Sequence, residues 1–241
     1  TRHNGIMCGR YALAVGGDQL EDWFGAEVSR LQQWVPSWNI APTTTIPVVI
    51  ERVVGAHTAE RIVGSARWSL TPAWSDTLET PYPTFNARSE TVASKPTFRR
   101  ALAHSRALIP ASGYFEWQSH GARKIPHYIY PADDTLFAFA AIYSLWGLGD
   151  RQTVTTTVLT REAPHSLRGI HPRSPVPLPT DQWSRWLDPH STAGAPLVEE
   201  MVRHSDDILA RAQSHPVRRL RGDSPTLIEP DPVAPGSTPE G

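Results

Sequence analysis

Cys8, the only cysteine in the chain, directly follows Met7. If everything through Met7 is removed, Cys8 carries an α-amine and a thiol on adjacent carbons. That pair does chemistry no internal residue can: the amine condenses with an aldehyde to a Schiff base, and the thiol closes onto it as a five-membered thiazolidine. An α-amine pKa of about 7.7–8.0 leaves a neutral, nucleophilic fraction near neutral pH, and a thiol at about 8.5 is not far behind. With its amine held in a peptide bond, Cys8 is instead a small hydrophobe on a first strand. The six residues ahead of Met7, Thr1 to Ile6, have no apolar run and no small-residue cleavage site, so they are not a signal peptide. They read as a mis-assigned start, a cloning remnant or a short propeptide.

Three other stretches put reactive groups in core-like surroundings. Gly113-Tyr114-Phe115-Glu116-Trp117 sets a carboxylate between aromatic residues. Apolar neighbours favour the protonated carboxyl and make Glu116 a candidate general acid or base; the plainer reading is the polar face of an alternating strand. Ile170-His171-Pro172-Arg173 holds a histidine beside an arginine in a Pro-flanked loop, suited to proton transfer or phosphate contact, or simply exposed to solvent. Asn86-Ala87-Arg88 offers an amide and a guanidinium that share a face if the segment is extended, or else a turn residue and a surface cation. HExxH and paired Cys-x-x-Cys patterns are absent, and so is a serine nucleophile elbow. The expectation is therefore no metal and no cofactor.

At 241 residues and a formal net charge of −1, the chain can bury a full core but is not built to coat nucleic acid wholesale. The charge is uneven. Between Asn86 and Tyr130 stand Arg88, Lys95, Arg99, Arg100, Arg106, Arg123 and Lys124 against only Glu90 and Glu116, and after Gly222 there are only acids. A local basic stretch can hold phosphates that the total charge does not advertise. No apolar run approaches the roughly 20 residues that span a bilayer, which places the protein in the cytosol, off the membrane. One cysteine excludes internal disulfides.

Helical spacing of Leu20, Trp23, Phe24, Val28 and Leu31 predicts a helix over about 18–33, weakened by Gly25. Strands are predicted at 46–52, 61–70, 106–110, 113–118, 127–130, 136–144 and, rich in β-branched residues, 154–160. Short helices are expected near 96–104, 180–187 and 205–212. Many short strands with peripheral helices, and no strand–helix alternation, argue for an α+β domain around a mostly antiparallel, barrel-like sheet. The Pro- and Gly-rich acidic stretch 223–241 reads as a disordered tail.

Taken in order, MCGRY at Cys8, WNIAPT through Asn39 and Pro42, RWSLTPAW ending at Trp74, FNARSET at Asn86, GYFEW at Glu116 and IHPRSPVPL at His171 resemble one family. This is the SRAP (SOS-response-associated peptidase) family, whose members process abasic sites in DNA. HPV at His215–Val217 and LIEP at Leu227–Pro230 look like its C-terminal segment, so the resemblance runs from Met7 to about Pro230. It implies a single SRAP-like domain over 7–222 that binds single-stranded DNA, as a monomer. The ring-opened aldehyde of an abasic sugar would be captured on Cys8. Asn86 would orient the amine and the sugar, Glu116 would act as general acid and base, and His171 would move protons at the sugar oxygens. Arg10, Arg88 and Arg173 would contact phosphates, with Asn39 in the DNA-binding face. Pro42 and Trp74 would pack against bases at a kink, since stacking tolerates any base.

The chain departs from the family pattern at four places. The loop reads His171-Pro172-Arg173-Ser174, where an Asp after the His and a Met after the Arg are usual. Arg218, Arg219 and Arg221 interrupt the C-terminal segment, and Ser75 follows Trp74 where some members carry a second tryptophan. The six-residue extension is also atypical, and its removal by attack from Cys8, assisted by Glu116 and His171, would fit a self-processing peptidase. Two further readings compete: a cysteine-dependent N-terminal-nucleophile hydrolase of amides or peptides, and a single-strand-binding module without chemistry.

Overall fold

The computed structural model describes residues 9–31, 33–55, 58–121, 123–133, 135–149 and 152–232. Cys8 and the extension ahead of it lie outside these residues. Along the chain run β1 (Arg10–Leu13), α1 (Gly17–Phe24), β2 (Glu27–Arg30), β3 (Ser37–Ile40), β4 (Thr45–Gly55), β5 (Thr58–Trp68) and β6 (Asn86–Arg88). There follow α2 (Arg99–His104), β7 (Arg106–Ala111), β8 (Gly113–His120), β9 (Arg123–Tyr130), β10 (Phe137–Trp146) and β11 (Thr153–Glu162). The last elements are α3 (His165–Arg168), β12 (Arg173–Pro175), α4 (Thr180–Leu187), α5 (Ala195–His204), α6 (Asp206–Arg211) and β13 (Gln213–Pro216).

The strands form two sheets, ordered β13-β9-β8-β1-β3 and β12-β11-β10-β7-β4-β5-β2, with β6 added in parallel beside β11. The fold is α+β with a sheet-dominated core, and most strand pairs are antiparallel. The second sheet curls: β5 comes back to β11 through a parallel contact at Arg67 and Trp68. Strand alternation sorts side chains to opposite sides. Tyr11 and Leu13 of β1 and Tyr114 of β8 enter the main core, whereas Ala12 and Phe115 enter a smaller cluster with Tyr128 and Val217. Glu116, two residues after Tyr114, is therefore carried on the main-core side.

Two sequence expectations are corrected here. The helix expected over 18–33 stops at Phe24, because Gly25 adopts a left-handed φ of 55° and closes the last turn with its N–H on the Glu21 carbonyl. The chain then turns into β2, where Val28 packs against the core as a strand residue. The stretch from Asp223, read as disordered, is folded as far as the described residues go. Pro225–Ile228 form a 3-10 turn, Val217 bridges Pro230, and the Trp38 N–H donates to Asp223 Oδ1 at 2.6 Å. Leu227 is buried beneath this strap, so apolar contact and β3 hydrogen bonds overcome a composition that looks tail-like.

Arg106 is also not a surface cation. It is 3% exposed, and its guanidinium donates to the carbonyls of Leu102 (3.2 Å), Ala103 (2.9 Å), Trp186 (2.6 Å), Asp188 and Ser191 (3.0 Å). Those of Leu102, Ala103, Trp186 and Asp188 are orphan carbonyls at the C-terminal ends of α2 and α4, and that of Ser191 belongs to the turn after α4.

Candidate active site

Three alternate residues of β8 face the segment Gly169–Ser174 and each meets it. The Tyr114 hydroxyl is 3.1 Å from Ser174 Oγ, Glu116 Oε1 is 3.6 Å from His171 Nδ1, and Gln118 Nε2 donates to the Gly169 carbonyl at 3.2 Å. In the central rung Glu116 is buried and His171 half-buried, with side-chain exposures of 2% and 14%. The Arg173 N–H donates to His171 Nδ1 at 3.2 Å, which leaves the neutral ring its proton on Nε2. A proton taken up at Nδ1 meets Glu116 and the Arg173 carbonyl, 3.3 Å away. The two groups stand at ion-pair distance, with the carboxylate placed to meet a protonated imidazole.

Desolvation holds the His171 pKa below its ordinary value, and the Lys124 and Arg173 charges add to this, while the hydrogen bond to the Arg173 backbone opposes it. His127, paired across from Glu116 on β9, is lowered too, first by desolvation and then by His215. A histidine harder to protonate when folded stabilises the fold fully above its unfolded pKa of about 6.5, and that contribution is lost as pH falls through the depressed folded values. The urea midpoint is therefore expected to fall between pH 7 and pH 5, and to fall less in His127→Gln. An equal decline in the two proteins would refute the assignment.

Asn86 and Arg88 lie on β6, opposite Val158 and Thr160 of β11. Two residues on, Glu90 takes both ends of the Arg173 guanidinium, at 2.5 and 2.9 Å, and Arg173 also donates to the Thr160 carbonyl at 2.8 Å. Burial opposes the charged form of Glu90, yet the Arg173 hydrogen bonds and the Arg173 and Arg88 charges hold its pKa below the ordinary value. Arg173, expected at a phosphate, is here a bidentate clamp joining the His171 segment to the Asn86 segment. Arg10 pairs with Phe115 across β1 and β8 and donates to Asn39 Oδ1 at 2.6 Å. Asn39 in turn donates to the Gly222 carbonyl at 2.6 Å. Gly9, the first described residue, is buried, and Arg10 after it pairs with Phe115, the neighbour of Glu116.

Pro42 sits in a turn pinned to the end of β5. Thr43 is held at a left-handed φ of 74° while its N–H donates to the Trp68 carbonyl at 2.7 Å. Trp74 is 65% exposed. A cleft of about 630 Å³ is lined by Tyr82, Asn86, Arg88 and Lys95. A second, of about 360 Å³, holds Trp74 and Arg100, and Pro96 and Thr97 line both. One surface therefore runs from Asn86 past three cations to an exposed indole. Sequence reasoning overlooked Glu90, Gln118, Lys124 and Tyr82. Gln118 could have been found from the two-residue period of β8, but Tyr82 sits in an irregular loop that gives no such signal. No helix among the described residues is long and apolar enough to cross a membrane.

A family model described as SOS response associated peptidase (SRAP) matches residues 7–221. The Bacillus subtilis (strain 168) abasic site processing protein YoaM is 32% identical over 227 residues, covering 92% of this chain and 98% of its own. The Gallus gallus abasic site processing protein HMCES is 30% identical over 264 residues, covering 93% of this chain and 78% of its own. A solved protein from Bacteroides thetaiotaomicron shares the fold with a TM-score of 0.75 at 22% identity, over 93% of this chain and 100% of that one.

Proposed function

This chain belongs to the SOS response associated peptidase (SRAP) family, and from that membership we propose that it processes abasic sites in DNA by capturing them covalently on Cys8. Its relatives YoaM and HMCES are named as abasic site processing proteins. The observation that carries the reading is the contact between buried Glu116 and half-buried His171, beside the strand that begins two residues after Cys8. Aldehyde capture needs proton delivery at that place.

In the reaction, the Cys8 amine adds to the C1 aldehyde of the ring-opened deoxyribose. The carbinolamine oxygen leaves as water, taking a proton from the Glu116–His171 pair, and the nitrogen returns its remaining proton to that pair as the imine forms. The thiol sulfur then adds to the imine carbon as its proton passes to nitrogen, closing the thiazolidine. Asn86 orients the amine and the sugar. Arg88 and Arg10 contact flanking phosphates, and Pro42 and Trp74 stack against bases of a single strand. Arg173 holds the two catalytic segments in register through Glu90 while presenting its charge to the same face. Removal of the residues ahead of Cys8, by self-cleavage or by another peptidase, is the prerequisite.

The direct test is a denaturing gel with an abasic oligonucleotide beside the undamaged strand, paired with the intact mass of the protein. A retarded band with only the abasic strand supports the reading. A trimmed protein that gives none defeats it. Glu116→Gln is expected to slow adduct formation about 10²-fold, the lower end for general acid–base assistance. If Glu116→Gln is trimmed as fast as the parent chain, self-cleavage is excluded while capture stands. Trp74→Ala is expected to weaken equilibrium binding of the single strand by about 1–3 kcal/mol, the range for loss of a stacking platform. An unchanged dissociation constant would place the strand elsewhere.

A further inference from the structure

We propose that Gln118, oriented by His127, is a positioning residue that fixes the upstream side of the His171 loop against Glu116. The inference rests on Glu116 and His171 being the proton-handling pair. Those two groups are only 3.6 Å apart, yet nothing in their own contact limits sliding of the loop along β8. The loop is tied down on either side of them. Downstream, Ser174 is held at Tyr114 in the buried core. Upstream, the Gly169 carbonyl has one side-chain donor among the described contacts, Gln118 Nε2.

A glutamine amide serves this purpose only in one orientation. Its nitrogen must face Gly169 and its oxygen must face away. His127 Nε2 lies 3.2 Å from Gln118 Oε1. A neutral ring protonated on Nε2 donates there and turns the amide nitrogen toward the Gly169 carbonyl. The other tautomer would turn the amide over and set two oxygens against each other. The His127 Nδ1 is buried with no hydrogen-bond partner among the described residues. Desolvation and His215 together keep this ring neutral. The contacts thus run from His127 through Gln118 to Gly169, two residues before His171 in the chain.

Loss of a positioning contact costs through misalignment, and an error near 1 Å can reach about 10²-fold when reacting groups must meet. A single neutral hydrogen bond on a half-exposed side chain supports less, about five- to tenfold. Gln118→Met keeps the length and removes both hydrogen bonds. It is expected to slow adduct formation about fivefold to tenfold, while affinity for a strand carrying a tetrahydrofuran analogue stays within about twofold. His127→Phe is expected to do the same. The double variant should be no slower than Gln118→Met alone, because His127 acts through Gln118. Effects that multiply, or a loss that tracks binding or melting temperature, overturn the proposal.

A second readout needs no reaction. Followed by NMR in the full chain, the His171 ring faces Glu116 from β8, Lys124 from β9 and Arg173 from its own segment. In Gln118→Met its titration midpoint is expected to move toward the ordinary histidine value as water enters. An unmoved midpoint overturns the proposal even if the parent protein captures no abasic site. A moved midpoint in a protein without capture supports the positioning role while removing the reading it was built upon.

Discussion

Replacing Cys8 by alanine in the trimmed protein is expected to abolish the product that survives denaturation, and to leave a distinct residue of chemistry behind. The Cys8→Ala protein would still carry a terminal amine and would still form an imine with the abasic aldehyde. Without sulfur the imine cannot close, so water reverses it during electrophoresis. Borohydride should reduce it to a stable amine, and the trapped band should return. Cys8→Ser should resemble Cys8→Ala, since a hydroxyl is a much weaker nucleophile than a thiolate at neutral pH. A form that retains Met7 should give no spontaneous band, because its terminal amine is displaced by one residue from the thiol and an imine formed there cannot close to the thiazolidine. The three proteins separate nitrogen from sulfur. A denaturation-proof adduct in Cys8→Ala without reductant would end the thiazolidine account.

The second large effect concerns the scaffold. Arg106→Ala is expected to destabilise the fold by about 3–5 kcal/mol, because five carbonyls lose a common donor and a buried side chain becomes a void. For a chain of this size that corresponds to roughly 10–15 °C in melting temperature. Water can solvate some of these carbonyls, which is why the figure is well below the sum of separate penalties. Arg106→Lys should recover only part, since an ammonium cannot span acceptors on α2, α4 and the Ser191 turn at once. Urea melts would check this directly. A loss below about 1 kcal/mol in Arg106→Ala would mean the helix ends need no such donor.

Local patterns make most strands readable. The β-branched run around Val154–Thr160 falls inside β11 because such side chains fit a pleated surface. The α1 boundary is misread because a 3.6-residue spacing continues past Gly25, while the backbone at Gly25 decides the matter. Arg106 looks like part of a basic surface, since nothing local distinguishes a guanidinium that caps a helix 80 residues away from one in water. The α5 helix goes unpredicted between Gly194 and Ser205, where Pro196 and His204 hide an otherwise ordinary apolar face.

The site is legible in a different sense. Asn86, Glu116 and His171 can be singled out from their neighbours and from family resemblance. Their supports cannot. Glu90 meets Arg173 across 83 residues, and Gln118 meets Gly169 across 51. Such contacts are set by sheet topology, and the sequence predicts topology only as a class.

The placement of β1 has a consequence for biosynthesis. Its partner β8 lies about a hundred residues further along the chain. Ribosomes add about 5–20 residues each second, so β3, which covers the other edge of β1, is made several seconds before β8. During that interval the β8-facing edge of β1 stays unpaired, so the strand leading into the site is completed only when Glu116 and its neighbours arrive.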